Sequence, residues 1–242
     1  MHRRDFLKAA LATTTLATIV RPAFSSVIPG GKLPWTSTME DLPKPVAGAP
    51  LKFFDEAQAK LVSAIFDRLL PEDEISMSAT QAGCVTYIDA QLDGPFGKAQ
   101  SRYQLGPFKK GTPEQGNQSP LTPADYYKRG LATLEDYCQA QFKKSFTGLT
   151  DAEKDHLIEQ MENDEIKFSD NDISAHTFFE LLLQNVKEGY FADPIYGGNK
   201  DMVGWKMVGF PGAVYDYRPY LAQTGKPMNI EPISLLGRKV NR

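Results

Sequence analysis

The chain has 242 residues, 41% of them hydrophobic and 24% charged, with a formal net charge of -3. That balance supports a real core and excludes a disordered tail or an integral membrane protein. Residues 1–25 carry Arg3, Arg4, Lys8 and Arg21 against Asp5, a sum of +3 that leaves -6 for the remainder, and a mildly acidic body argues against nucleic acid as a partner.

Residues 1–8 read M-H-R-R-D-F-L-K, and the twelve residues from Ala9 to Val20 carry no charge. Such a run is too short to span a bilayer, which takes about 20 apolar residues, but suits the apolar region of a signal peptide. Ala23-Phe24-Ser25 puts small residues where a signal peptidase reads, so cleavage is expected after Ser25. Arg3 and Arg4 with Phe6, Leu7 and Lys8 resemble the twin-arginine export signal, although His2 stands where that pattern usually has Ser or Thr. An ordinary secretory signal is the alternative. The twin-arginine resemblance implies passage to the periplasm in the folded state, which lets one signal carry a bound partner that has none.

Residues 26–50 hold Pro29, Pro34, Pro43, Pro45 and Pro50 with Gly30, Gly31 and Gly48, which excludes regular structure and predicts an extended arm. From Asp55 to Leu70 the residues Leu61, Val62, Ile65, Phe66 and Leu69 recur at helical spacing, and Pro71 closes the run. A shorter helix is predicted from about Thr80 to Leu92, and residues 93–120, rich in Gly, Pro, Gln and Lys, read as a long irregular loop. Thr122 followed by Pro123 is a helix start, and Leu131, Leu134, Cys138 and Phe142 continue its apolar face. Thr150-Asp151-Ala152-Glu153 is a capping box that opens a fourth helix. Ser174 opens a fifth, whose Phe178, Phe179, Leu182 and Val186 make it the most apolar element. Residues 189–220 then combine eight aromatics with six glycines, from which irregular backbone is expected. The fold class is all-α: a single domain of about five helices over residues 51–242, with long loops and an irregular aromatic and glycine-rich carboxyl-terminal section, preceded by the signal (1–25) and the arm (26–50).

Chemistry-bearing residues are few. Two exported cysteines, Cys84 and Cys138, usually pair, but a free buried thiol or a bond to another subunit are equally open, and two cysteines so placed cannot hold an iron-sulfur cluster or attach haem. Glu153 and His156 stand three apart, a spacing that paired-metal bundles use, yet no second pair exists and the capping box already claims Glu153. Asp193, Asp201 and Asp216 fall in the aromatic section without a histidine after His176. No nucleophile elbow, phosphate loop or dinucleotide fingerprint occurs, and Gly197-Gly198-Asn199-Lys200 reads as a tight turn. No catalytic, cofactor-binding or metal-binding set is therefore assigned. Most of the aromatics are expected in the core, with some as exposed anchors, since Trp, Tyr and Phe are favoured at interface centres. Tyr190, Phe191, Asp193, Tyr196 and Trp205 are the candidate partner interface, at the surface or directly behind it.

Residues 187–212, K-E-G-Y-F-A-D-P-I-Y-G-G-N-K-D-M-V-G-W-K-M-V-G-F-P-G, resemble the signature of the gluconate 2-dehydrogenase subunit 3 family. Leu69-Leu70-Pro71, Gly94-Pro95-Phe96-Gly97 and Gly106-Pro107-Phe108 are similar to that family as well. The resemblance implies a small non-catalytic subunit beside a large FAD-containing dehydrogenase and a multihaem cytochrome c that holds the complex at the membrane. It further implies a role as an escort in folding, stability and export of the flavoprotein, with FAD and haem c carried by the partners. The alternative is an independent periplasmic enzyme or small-ligand binder using the region from Asp193 to Trp205.

The export reading has a direct consequence. Replacing both Arg3 and Arg4 by Lys should strand the chain in the cytoplasm, as fractionation and immunoblotting would reveal; normal export of that variant would eliminate the twin-arginine assignment.

Overall fold

The computed structural model describes residues 45–236 apart from 104, 110, 113, 114, 117, 215, 224 and 227–229. The export signal and the arm as far as residue 44 lie outside the described residues. What is described falls in one compact unit, Pro43–Arg242, and is all-α. Its helices are α1 (Glu56–Leu69), α2 (Cys84–Asp93), α3 (Pro123–Phe142), α4 (Asp151–Glu162), α5 (Ala175–Phe191) and the short α6 (Val203–Val208). Among the described residues the one β contact is an isolated parallel bridge between Gly212 and Ile233.

The sequence punctuates these helices through their caps. Asp55 with Gln58, Thr122 with Asp125 and Thr150 with Glu153 form reciprocal capping boxes at α1, α3 and α4, each satisfying amide groups that the first helical turn leaves without partners. Ser174 caps α5 by accepting from the Thr177 amide. α2 departs from expectation, starting at Cys84 and not near Thr80. Gly83 before it adopts φ 85°, a left-handed conformation that ends any upstream helix, and the Thr80 amide donates instead to the Asp67 carboxylate of α1 at 2.8 Å. The second departure is α6, two turns of helix where the sequence predicts irregular backbone. The described residues between 94 and 120 are irregular as expected, apart from local turns, and an Arg102 guanidinium N–H bonded to the Leu121 carbonyl ties the loop back to the start of α3.

α5 is the hub, packing against each of the other five helices. Two glycines permit close approaches along its length. A Cβ on Gly130 of α3 would stand 2.6 Å from the Phe178 ring, and one on Gly189 of α5 would meet the Cys84 backbone and Cβ at 3.3 Å. Around this axis Phe66, Leu131, Leu134, Leu157, Phe178 and Leu182 are fully enclosed. Tyr127 is buried among them, and its hydroxyl donates to Asn185 Oδ1 at 3.1 Å, whose amide donates to Glu188 at 2.9 Å. Burial, reinforced by the Glu188 charge, pushes the Tyr127 phenol well up from its ordinary range, so it stays a protonated donor.

A second buried polar device fixes the approach to α1. The Asp89 carboxylate of α2, almost wholly enclosed, accepts the amides of Lys52, Phe53 and Phe54 at 2.8, 3.0 and 2.9 Å. Three convergent N–H donors offset the cost of burying the charge, and they lead the Phe54 ring onto Tyr127.

The Gly130 contact is testable because two effects oppose each other. Alanine gains about 1 kcal/mol of helix propensity over glycine, whereas overpacking a closed core costs about 1–3 kcal/mol, and the enclosed Phe178 ring has nowhere to retreat. Gly130→Ala should therefore lower the thermal unfolding midpoint; a raised midpoint would contradict the packing described.

Candidate functional site

Residues 189–212 form a knot of backbone packed on backbone, and the glycines are the reason it closes. After α5 ends at Phe191, Asp193 caps a single 3-10 turn, Pro194–Tyr196. Gly197 then reverses the chain at φ 97°. A Cβ on Gly198 would overlap the Gly189 carbonyl oxygen, one on Gly83 would overlap that of Gly197, and one on Gly204 would overlap that of Tyr190. The start of α2, the end of α5 and the start of α6 thus meet with no room for a side chain.

Asn199 locks the arrangement. It is fully buried, its Nδ2 donates to the Ala192 carbonyl at 2.8 Å, and its Oδ1 accepts the Gly204 amide at 2.8 Å. One side chain therefore bridges the exit of α5 and the entry of α6. The Lys200 amide adds a bond to the Ala82 carbonyl at 3.0 Å. Asn199, Asp201 and Met202 sit at φ 46°, 55° and 59°, a left-handed region that costs a non-glycine residue roughly 1–2 kcal/mol. Three such residues within four persist only where the surrounding contacts over-determine them.

The five candidate interface residues divide into two kinds. Tyr190 and Trp205 are buried and hydrogen-bonded, the Tyr190 hydroxyl to the Met77 carbonyl at 2.8 Å and the Trp205 indole N–H to the Phe191 carbonyl at 2.7 Å. Both are thus core residues, directly behind the surface and not on it. Asp193 is a turn builder, one oxygen accepting the Ile195 amide at 3.0 Å and the other the Leu235 amide at 2.8 Å. Phe191 and Tyr196 keep exposed rings, 39% and 48% accessible, and alone of the five offer apolar surface to another molecule.

The remaining candidates have structural duties. Both Glu153 side-chain bonds go to Thr150, and His156 is exposed. Asp216 is held below the usual carboxylate range by its hydrogen bonds to the Arg218 side chain. Cys84 and Cys138 are free and buried, so the structure contains no bridge between them. Their surroundings differ: Cys84 packs on Gly189 of α5, while Cys138 lies in the last turns of α3 near Glu135. Burial pushes each thiol up to about 12, against the lowering that a helix start gives an accessible cysteine such as Cys84 would otherwise be.

Four exposed apolar residues complete the region: Ile75, Met207, Val208 and Phe210. Ile75, Met77, Val203 and Met207, with the charged Asp201 and Lys206, line a shallow depression of about 480 Å³. Among the described residues no cluster of three or more His, Cys, Asp or Glu could hold a metal ion, and no helix is long and apolar enough to cross a membrane.

Fold and site together define an all-helical domain whose glycine and aromatic knot holds a short helix, α6, out toward solvent. Compared with known families, residues 56–212 match gluconate 2-dehydrogenase subunit 3, a span from the first turn of α1 to the end of the knot. The chain belongs to the gluconate 2-dehydrogenase subunit 3 family. No curated protein and no solved structure matches it.

The knot predicts a sensitivity that its surface position would not suggest. Asn199→Ala removes two hydrogen bonds to the backbone, one of them buried, and puts a less tolerant residue at positive φ, a loss of about 2–3 kcal/mol. The urea midpoint should fall with the slope unchanged, and an unaltered midpoint would refute the bridging role.

Proposed function

We propose that this chain is the small, non-catalytic subunit of a periplasmic, FAD-dependent gluconate 2-dehydrogenase-type complex, and that it aids folding, stability and twin-arginine export of the catalytic flavoprotein. The family match over residues 56–212 carries the reading. In this reading FAD sits in the large dehydrogenase subunit, and a multihaem cytochrome c accepts the electrons and attaches the complex to the membrane. The small subunit supplies the export signal, Arg3 and Arg4 with Phe6, Leu7 and Lys8, and a docking surface.

The geometry of the knot supports this division of labour. A catalytic acid works with a second acid, base or nucleophile in a cleft, whereas both oxygens of Asp193 are engaged by backbone amides, Asp216 is paired with Arg218, and Asp201 lines a depression beside Lys206 and apolar side chains, with no second carboxyl or imidazole among the lining residues. Tyr190, Asn199 and Trp205 are likewise spent on holding the backbone. The residues that define the signature thus act on the shape of the chain, which suits a subunit whose task is to bind.

Co-expression decides the matter. The flavoprotein produced without this chain should remain cytoplasmic or be degraded, and should appear in the periplasm, active, when the chain is restored. Full export and activity of the flavoprotein alone would overturn the escort role. Sugar-acid oxidation by this chain in isolation would overturn the non-catalytic one.

A further inference from the structure

We propose that the apolar ledge made by Ile75 and α6, around the depression they line, is the face that docks on the catalytic flavoprotein, and that it meets an apolar patch bordered by basic side chains on that partner. The inference rests on the reading of the chain as a subunit of a dehydrogenase complex, and adds where and by what chemistry it binds.

The ledge is assembled from two segments far apart in sequence. Ile75 is 77% exposed at the tip of the loop after α1, while Met207, Val208 and Phe210 are 44%, 58% and 46% exposed along α6 and just beyond it. The Tyr190 hydroxyl holds the loop at the Met77 carbonyl, and Asn199 and Trp205 hold α6. Large apolar side chains presented together on a fixed backbone are the anchors that interface centres use, because little ordering entropy remains to be lost on binding. The three left-handed residues Asn199, Asp201 and Met202 directly precede α6. Strain of that kind is retained where a particular presentation of the chain matters, and here it lies at the entry to α6.

Charge selects the occupant. Glu72, Asp73 and Glu74 immediately precede Ile75 and are all exposed, whereas the Lys206 ammonium is matched by Glu231 at 3.3 Å. The border is therefore net negative. A second copy of this chain would set two acidic borders against each other, and an anionic lipid surface would repel them. A partner with a basic border is attracted. The ledge lies within the span that matches the family, 56–212, while the exposed Leu221 and Leu235 lie outside it. In the proposed complex the large subunit is the companion that this chain escorts, so it is the basic-bordered occupant assigned to this face.

The test uses the full chain co-expressed with the flavoprotein, with affinity measured at low and high salt. Wild type and Leu221→Asp should bind alike. Ile75→Asp and Met207→Asp should weaken binding by about tenfold or more, and Glu74→Lys should slow association and reduce its salt dependence. Circular dichroism melts check that each variant is folded, and Glu74→Lys, which alters only an exposed charge, keeps the proposal exposed should an aspartate variant unfold. If wild type binds and all three ledge variants bind within about twofold of it, the ledge is refuted while the subunit reading stands. If wild type itself fails to bind the flavoprotein, both fall.

Discussion

Gly198 lies against the carbonyl of Gly189 so closely that no side chain could stand between them, and the same is true of Gly83 against Gly197 and of Gly204 against Tyr190. These three contacts bring the end of α5, the turn that follows and the starts of α2 and α6 into one layer of backbone. Asn199 can reach both Ala192 and Gly204 only because that layer is thin. Trp205 can in turn reach the Phe191 carbonyl only because α6 begins where Asn199 places it. Loss of any of these glycines would separate the layers by the width of a methyl group and deprive the rest of their partners.

A rigid knot of this kind assigns different work to neighbouring residues. Tyr190 and Trp205 face inward and consume their polar atoms on backbone carbonyls, as buried aromatics with a polar handle usually do. Phe191, adjacent to Tyr190, has its ring at the surface and edge-on to it, and Phe210 rests edge-on against Trp205. Both of these exposed rings are therefore backed by buried ones. Such backing stiffens an exposed aromatic without hiding it, which distinguishes a presented surface from a loose apolar tail.

Much of this could be read in the amino acids. The capping residues Asp55, Thr122, Thr150 and Ser174 mark four helix starts, because a cap is a local hydrogen-bonding event encoded within four residues. Other features escape for equally physical reasons. The true start of α2 depends on a positive φ at Gly83 that is dictated by contact with Gly197, more than a hundred positions away. α6 is too short to display helical periodicity. The clasp at Asp89 is indistinguishable in sequence from an ordinary surface carboxylate, since its three donors are main-chain amides that every residue possesses. Burial of Tyr190 and Trp205, and exposure of Met207 and Val208, are set by which side of the knot each faces. The lone Ile75 among Glu72, Asp73 and Glu74 was a signal, since an aliphatic residue in a solvated acidic loop has no core to serve.

The two buried thiols bear on where this fold can form. Neither Cys84 nor Cys138 is cross-linked, and with ionisation displaced to about 12 neither carries appreciable thiolate near neutrality. The core closes by packing and hydrogen bonding with no bridge between these cysteines, so no thiol oxidation is needed to form it. A polypeptide of this kind reaches its finished shape with no oxidation step left to complete.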